Sequence, residues 1–491
     1  MRRYRYIGTM VLAMMMFTSC NQWLDIDPKD KIVDENLFSD YRGFRNSLNG
    51  IYQEMASPAL YGRELSWGMT SALGQDYAAN ESGVVYQEVQ KYNYENASVK
   101  SVIANIWAKS YNIIANCNKL IEEIEKQDSS FFPLGAAEKD LILGEALAVR
   151  AMLHFDILRL FAPAPITGDG GEYIPYRKTY TVMHESKVTN EIALKNITED
   201  LLRAKDLVAK NDTILNRSML LTNNDNRFIN GYSAEGGLFF CSRGVRLNYV
   251  AITGLLARVY LYANDRVNAQ KYAEIIYKNY APKTGENRPW GFTSSGSVYP
   301  SGKPESSVKL IDDLLFALYD DRLASKVEEY KTEYATSLYL NDIKDLFTRE
   351  LDLDDYRMNL IESSSNKETI VKWNDIGSTQ TANQRQYQFI PMLRLSEIYY
   401  ILSECYAANG FPAEAEEVLK EVRFARDAKR VVTGAPSEEF TKALIWEGRK
   451  EFLTEGQTFF MFKRLNRPIT LGASTITADF VLPRPDSEDI Y

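Results

Sequence analysis

Between Arg394 and Arg426 the apolar residues return every three or four positions. Leu395, Ile398, Leu402 and Cys405 fall on one face of a predicted helix. Asn409-Gly410 ends it, because glycine enters the left-handed backbone region without a Cβ clash. Pro412 opens a second helix at a position where its missing N–H costs nothing. Ala415, Val418, Leu419 and Val422 form the apolar face of that helix, and small alanines let the two helices cross closely.

The pattern recurs upstream. In 254–276, Leu256, Val259, Tyr260 and Ala263 share a face, Asn264-Asp265 turns the chain, and Ala269, Tyr272, Ala273 and Ile276 lie on the return. Ala263-Asn264 corresponds to Ala408-Asn409. Such antiparallel hairpins are of tetratricopeptide type, and since one hairpin does not bury its own apolar face, they stack. The fold class expected is mainly α: a tetratricopeptide-like helical repeat scaffold, with repeats over about 100–280 and 390–465.

Periodicity also predicts helices over 37–55, 103–124, 138–161 and 190–208, and a final pair over 437–465. Ala162-Pro163-Ala164-Pro165 stops the third of these. Residues 67–100 are mixed and rich in aromatics. Residues 167–184 and 211–243 read as loops, and about 281–389 as an irregular, loop-rich, ligand-binding region in which short helices alternate with loops.

The first residues carry a different pattern. Arg2, Arg3 and Arg5 precede an apolar run from Ile7 to Phe17, too short for a resident membrane span, and Thr18-Ser19-Cys20 follows. This order predicts a lipoprotein signal peptide over 1–19, lipidation of Cys20, a lipidated tether over 20–34 and one domain over 35–491. No other stretch is long and apolar enough to cross a bilayer. A net charge of −9 argues against nucleic acid as a partner. Cys117 and Cys405 lie on apolar helix faces and read as buried free thiols; no disulfide framework is implied.

Catalytic patterns are scarce. The two histidines are His154, within an apolar helical pattern, and His184. No Gly-x-Ser-x-Gly, His-Glu-x-x-His or paired-cysteine motif occurs, and nothing implies a cofactor or a metal. Asp352, Asp354 and Asp355 lack the glycine of a calcium loop and read as a turn and helix start. Glu447, Arg449, Glu451 and Glu455 read as i,i+4 pairing and capping along one helix.

Five stretches together resemble the SusD/RagB family of starch-utilisation-type outer-membrane lipoproteins. They are Cys20 followed by W-L-D-I-D-P; 107–121 with 145–165; L-D-D-Y-R at 353–357; I-P-M-L-R-L-S-E-I-Y-Y-I-L-S-E at 390–404; and W-E-G-R-K-E-F-L-T-E-G at 446–456 with L-P-R-P-D-S-E at 482–488. Thr458, Met461 and Leu465 depart from the family's usual residues in the last helices. The resemblance implies a non-enzymatic, lipid-anchored, surface-facing protein that binds an oligosaccharide and hands it to a SusC-like TonB-dependent transporter. A surface enzyme acting on glycans and a protein-binding repeat scaffold stay open as alternatives.

A sugar ring has an apolar face bordered by hydroxyls, so its receptor needs flat aromatics beside amide, carboxylate or guanidinium groups. Loop aromatics in such company occur at Asp76-Tyr77 with Asn80, at Tyr92 and Tyr94, at Trp290 after Arg288-Pro289, and at Trp373 before Asn374. The resemblance favours the first two clusters. Trp290 has two readings, a platform for a sugar or an inward plug under the repeats.

Overall fold

A computed structural model describes residues 37–183, 185–222, 224–228, 234–283, 288–299, 306–341, 343–348, 352–374, 386–471 and 474–489. The expected signal peptide, Cys20, the tether and His184 lie outside the described residues. The chain divides at Asn46–Ser47 into two units. In the first, Asp40 accepts a hydrogen bond from the Arg42 N–H (2.7 Å) at the start of helix α1 (Tyr41–Met55), and the Phe38 and Phe44 ring centroids are 4.8 Å apart.

The second unit is built on a row of long helices. Helix α2 (Ala97–Lys126) starts earlier than periodicity predicts, because the Asn96 side chain caps it by accepting from the Ser98 N–H at 2.9 Å. Helix α3 (Ala136–Phe161) is buried on nearly every side, as a helix apolar all round must be, and packs on α2 and on α4 (Asn190–Lys210). A Cβ at Gly144 would sit 2.8 Å from Val208, so α3 and α4 approach as closely as they do only with glycine there. Strands β1 (Glu172–Pro175) and β2 (Lys187–Thr189) pair antiparallel, so a ladder begins inside the segment read as a plain loop.

The hairpins form where expected. Helices α5 (Tyr249–Tyr262) and α6 (Arg266–Asn279) turn at Asn264, which has φ +62°, and Asp265 caps α6 by accepting from the Asn268 N–H at 3.0 Å. After α7 (Leu323–Glu333) comes the pair α8 (Leu395–Ala408) and α9 (Pro412–Ala425), with Gly410 at φ +87° and Pro412 in the first turn of α9. The α6–α8 contact joins the two hairpins into one stack. Helices α10 (Glu438–Glu451) and α11 (Thr458–Leu465) follow, and after them Ile469–Leu471 pairs antiparallel with Ser474–Ile476.

The region 308–390 is less helical than its sequence predicts. Strand β3 (Leu314–Tyr319) pairs antiparallel with β6 (Phe389–Arg394), and β4 (Ile361–Ser364) with β5 (Lys367–Ile370). The L-L-F-A-L-Y run of β3 is buried at five of its six positions, and periodicity alone does not separate such a run from a buried helix segment.

Under these elements lies a buried ionic network of six carboxylates and six cations. Arg357 donates to Asp355 (2.6 Å), Glu447 (2.7 Å) and Glu451 (3.0 Å). Arg423 pairs with Asp352 at 2.7 Å and also with Glu447; Arg426 pairs with Glu451 at 2.7 Å and also with Asp313. Lys450 reaches Asp352 at 2.5 Å, and Glu455 holds both Arg394 at 2.5 Å and Lys372 at 2.7 Å. None of the twelve side chains is more than 4% exposed. Lys309, equally buried, has no carboxylate partner among the described residues; its ammonium sits 3.6 Å from the Trp373 ring centroid, and burial pushes its pKa well down.

This corrects the reading of Glu447, Glu451 and Glu455 as partners along one helix. Glu447 does meet Lys450 on its own helix (3.1 Å), but its other bonds, and those of Glu451, run to the 352–357 turn and to α9. Glu455 lies beyond the end of α10, and Arg449 donates to the Thr470 carbonyl. Helix spacing offered a local explanation for contacts that are in fact long-range.

Burial alone would raise the carboxyl pKa of Glu447 and Glu451; Lys450, Arg357 and Arg423 around the first, and Arg426, Arg357 and Arg394 around the second, override it and hold both below the ordinary range. Their folded-state pKa lies below the unfolded value of about 4.3, so the stability they contribute is complete above it and is lost as pH falls further. Replacing one member leaves the others charged and unmatched. Glu447→Leu is expected to cost about 3–5 kcal/mol in chemical denaturation at pH 7, with the deficit shrinking as pH falls below 4.

Candidate functional site

The structure brings two of the four aromatic clusters together, those of Tyr77 and Trp373, and ties a third to their edge through the Gln75–Tyr92 hydrogen bond. Residues 76–83 run against 336–341: Tyr77 bridges to Leu340, the Ala78 N–H donates to the Tyr339 carbonyl (2.8 Å), and the Asn341 N–H donates to the Asp76 carbonyl (2.9 Å). Trp373 reaches the same place from the far end of the β4–β5 hairpin. Its indole N–H donates to the Thr454 hydroxyl (2.8 Å), and the Thr454 N–H donates to the Asp76 carboxylate (3.0 Å). Trp67 lies between them, 6.5 Å from Trp373 and 5.4 Å from Tyr330, and Tyr77 donates to its carbonyl. Tyr86 stacks on Tyr330 at 5.2 Å.

The placement of the individual candidates corrects the expectation that their rings stack on sugar. Tyr77, Tyr94 and Trp373 are buried, and each spends its polar atom on the protein; Tyr94 donates to the Asp479 carbonyl at 2.6 Å. Tyr92 is half-buried, accepts from Gln75 (3.1 Å) and donates to the Leu73 carbonyl (3.0 Å). Asp76 is 2% exposed, and burial pushes its carboxyl up to about 6 against the pull of Arg449 and the Thr454 N–H. Asp76, Tyr77 and Trp373 belong to an aromatic plug beneath the surface, whereas Tyr92 and Tyr94 pack on each other, ring centroids 6.4 Å apart. Asn80 alone of them is exposed, at φ +66°, a conformation asparagine tolerates.

Trp290 stands apart. It is 2% exposed, its N–H donates to the Leu314 carbonyl (2.9 Å), and the Arg227 guanidinium lies 4.5 Å from its ring centroid. The inward-plug reading is the one its geometry matches. A core tryptophan pays out its whole buried area when truncated, so Trp290→Ala is expected to cost about 3–5 kcal/mol in thermal or chemical unfolding, while glycan affinity of the folded fraction stays unchanged.

Above the plug lies a surface that the sequence did not single out. Tyr334 and Tyr339 are half-exposed there, with Lys367 4.7 Å from the Tyr339 ring centroid and paired with Glu81 at 2.7 Å. Asn80, Asn341 and Asn374 border it, and Lys331 donates to the Asn374 side chain at 3.1 Å. Flat rings flanked by amides and charges suit a sugar's apolar face and hydroxyls. A Cβ at Gly83 would lie 2.9 Å from the Tyr330 hydroxyl and 3.1 Å from Tyr334, so glycine lets this chain segment close over the rings. Tyr330 and Tyr334 sit one helical turn apart, the signal available in the sequence for this pair.

Chemical reactivity elsewhere is muted. His154 is buried beside Tyr176, takes a hydrogen bond from the Arg177 N–H (3.0 Å), and burial pushes its pKa down to about 3, so it stays neutral. Cys117 and Cys405 are buried free thiols, and Cys241 is buried as well. Among the described residues, no three His, Cys, Asp or Glu side chains are placed to hold a metal ion, and no helix is long and apolar enough to cross a membrane.

Residues 22–219 match a SusD-like family model described as starch-binding associating with outer membrane, and residues 354–474 match the model of the SusD family. A SusD-like protein of Formosa agariphila is 20% identical over 96% of this chain and 93% of its own length. A second from that organism is 23% identical over 30% of this chain, a stretch that spans only 28% of that relative. Among solved structures, a SusD superfamily protein from Bacteroides thetaiotaomicron superposes with a TM-score of 0.66 at 21% identity, covering 92% of this chain and 97% of that one. A SusD-like carbohydrate binding protein from Bacteroides vulgatus gives 0.62 at 18% identity, over 88% and 84%. At these identities the superpositions speak for the helical repeat fold.

Proposed function

We propose that this chain, which belongs to the SusD family of outer-membrane-associated carbohydrate-binding proteins, captures an oligosaccharide at the outer membrane and delivers it to a SusC-like TonB-dependent transporter. The observation that carries the capture step is the surface over the aromatic plug. Tyr334 and Tyr339 present ring area there, Asn80, Asn341 and Asn374 supply amides, and Lys367 and Glu81 supply a charged pair. Rings held on a packed base lose little freedom when a sugar stacks on them, which favours affinity.

The protein acts by binding, not by catalysis. At this surface Glu81 is tied to Lys367, and His154 is locked neutral in the core. Cys20 carries the lipid anchor; two or more acyl chains hold a protein on a membrane stably where one does not. The repeats supply the rigid frame and the loop-borne surface takes the ligand, facing the cell exterior above the transporter.

Isothermal titration with a panel of oligosaccharides tests the capture step. Tyr339→Ala is expected to weaken the best-bound sugar about three- to tenfold with an unchanged melting midpoint, as loss of one stacking ring should. A sugar bound equally well by both proteins removes this surface from the site. For the anchor, Cys20→Ala is expected to abolish fatty-acid labelling and move the protein from the membrane to the soluble fraction; a labelled, membrane-bound variant contradicts it.

A further inference from the structure

A cavity of about 380 Å³ opens between α5, α8, α10 and α11, away from the aromatic plug. Its wall is largely apolar and aromatic, with Phe155, Leu261, Tyr400, Phe452 and Phe460 facing in. Four guanidinium groups in it are already matched: Arg258 by Glu397 at 2.6 Å, Arg464 by Glu404 at 2.7 Å, Arg467 by Glu438 at 2.5 Å, and Arg159 by Asp156. Two wall residues are not. Tyr262 is 4% exposed and its hydroxyl has no hydrogen-bond partner among the described residues; the Nε of Arg266 is likewise buried without one there.

These two groups follow each other around the α5–α6 turn, Tyr262 as the last residue of α5 and Arg266 as the first of α6. A buried hydroxyl left unpaired is destabilising, and a ligand atom accepting its proton would recover that loss. Burial raises the Tyr262 pKa, so the phenol stays protonated and can only donate to an anion. Both carboxylates of the wall, Glu397 and Glu404, are engaged in two-point pairs with other arginines, which leaves the Arg266 Nε without an acceptor among the described residues. The volume is in the range of small-molecule sites, about 300–1,000 Å³.

We propose that this cavity binds a small organic anion, a carboxylate carried on an aromatic or branched apolar body, with the Arg266 guanidinium and the Tyr262 hydroxyl taking the carboxylate. The site is separate from glycan capture and stands whether or not that reading holds. A neutral sugar would find most of the polar groups here already paired, whereas an apolar acid buries its body against the rings and meets the two groups that lack partners.

Titration calorimetry on the full-length protein in nanodiscs, with empty nanodiscs as blank, provides the test, using 4-phenylbutyrate and its uncharged analogue 4-phenyl-1-butanol. Saturable one-site binding of the acid is expected, with the alcohol weaker by about tenfold or more, the size of one charge-assisted hydrogen bond. Arg266→Gln should bring the acid down to the affinity of the alcohol. Tyr262→Phe should weaken the acid more than the alcohol, a selectivity that a merely structural tyrosine would not alter. Leu444→Trp, at the half-buried rim, should close the cavity to both. No saturable binding of the acid to the folded protein, equal affinity for acid and alcohol, or full acid binding by Arg266→Gln would each overturn the proposal.

Discussion

Twelve charged side chains that leave water together need partners in fixed positions, and meeting that need ties distant parts of this chain to one another. Isolated buried charges are prohibitively costly, whereas paired and hydrogen-bonded ones are tolerated. Here the partners come from Asp313 at the foot of β3, the 352–357 turn, Lys372, Arg394 at the end of β6, helix α9, and the 447–455 stretch. Losing any one of these elements would strand charge in the core. The network therefore demands one arrangement of the helical repeats against the strand-bearing region, something non-directional apolar packing does not do by itself.

The same region supports the surface proposed to take the ligand. Glu455, which closes the network through Arg394 and Lys372, follows directly on Thr454, and Thr454 links Asp76 to Trp373. Lys309 sits between the two systems, its carbonyl accepting from Arg394 and its ammonium lying over the Trp373 ring. The aromatic plug is thus bolted to the ionic core, and the loops carrying Asn80, Tyr339 and Lys367 rest on that plug. A surface with so firm a base is suited to recognising a rigid ligand with few adjustments.

The repeats were legible in the sequence because their information is local. Three- and four-residue spacing, Asn409-Gly410 and Pro412 each act within a few residues, and α8 and α9 start and stop accordingly. Strand β3 was missed because its partner lies about seventy residues on and its apolar run has no distinguishing period. The ionic network was missed for a related reason: Glu447 and Glu451 offered plausible neighbours on their own helix, and nothing in the spacing reveals that Arg357, Arg423 and Arg426 arrive from elsewhere. At the candidate site, the residue types were right for sugar, but composition does not tell which way a ring points. Tyr77, Trp290 and Trp373 point inward, while Tyr334 and Tyr339, in a less conspicuous stretch, keep part of their rings at the surface.

An oligosaccharide held on the surface built over the plug should slow backbone exchange in the segments that carry it. Hydrogen–deuterium exchange on the protein with and without a bound oligosaccharide tests it most directly, since it maps contact and ordering along the whole backbone. Added protection is expected in 78–83, 334–341 and 367–374, with exchange in α5, α6, α8 and α9 unchanged. Protection confined to the helical repeats, with those three segments unaffected, would contradict it.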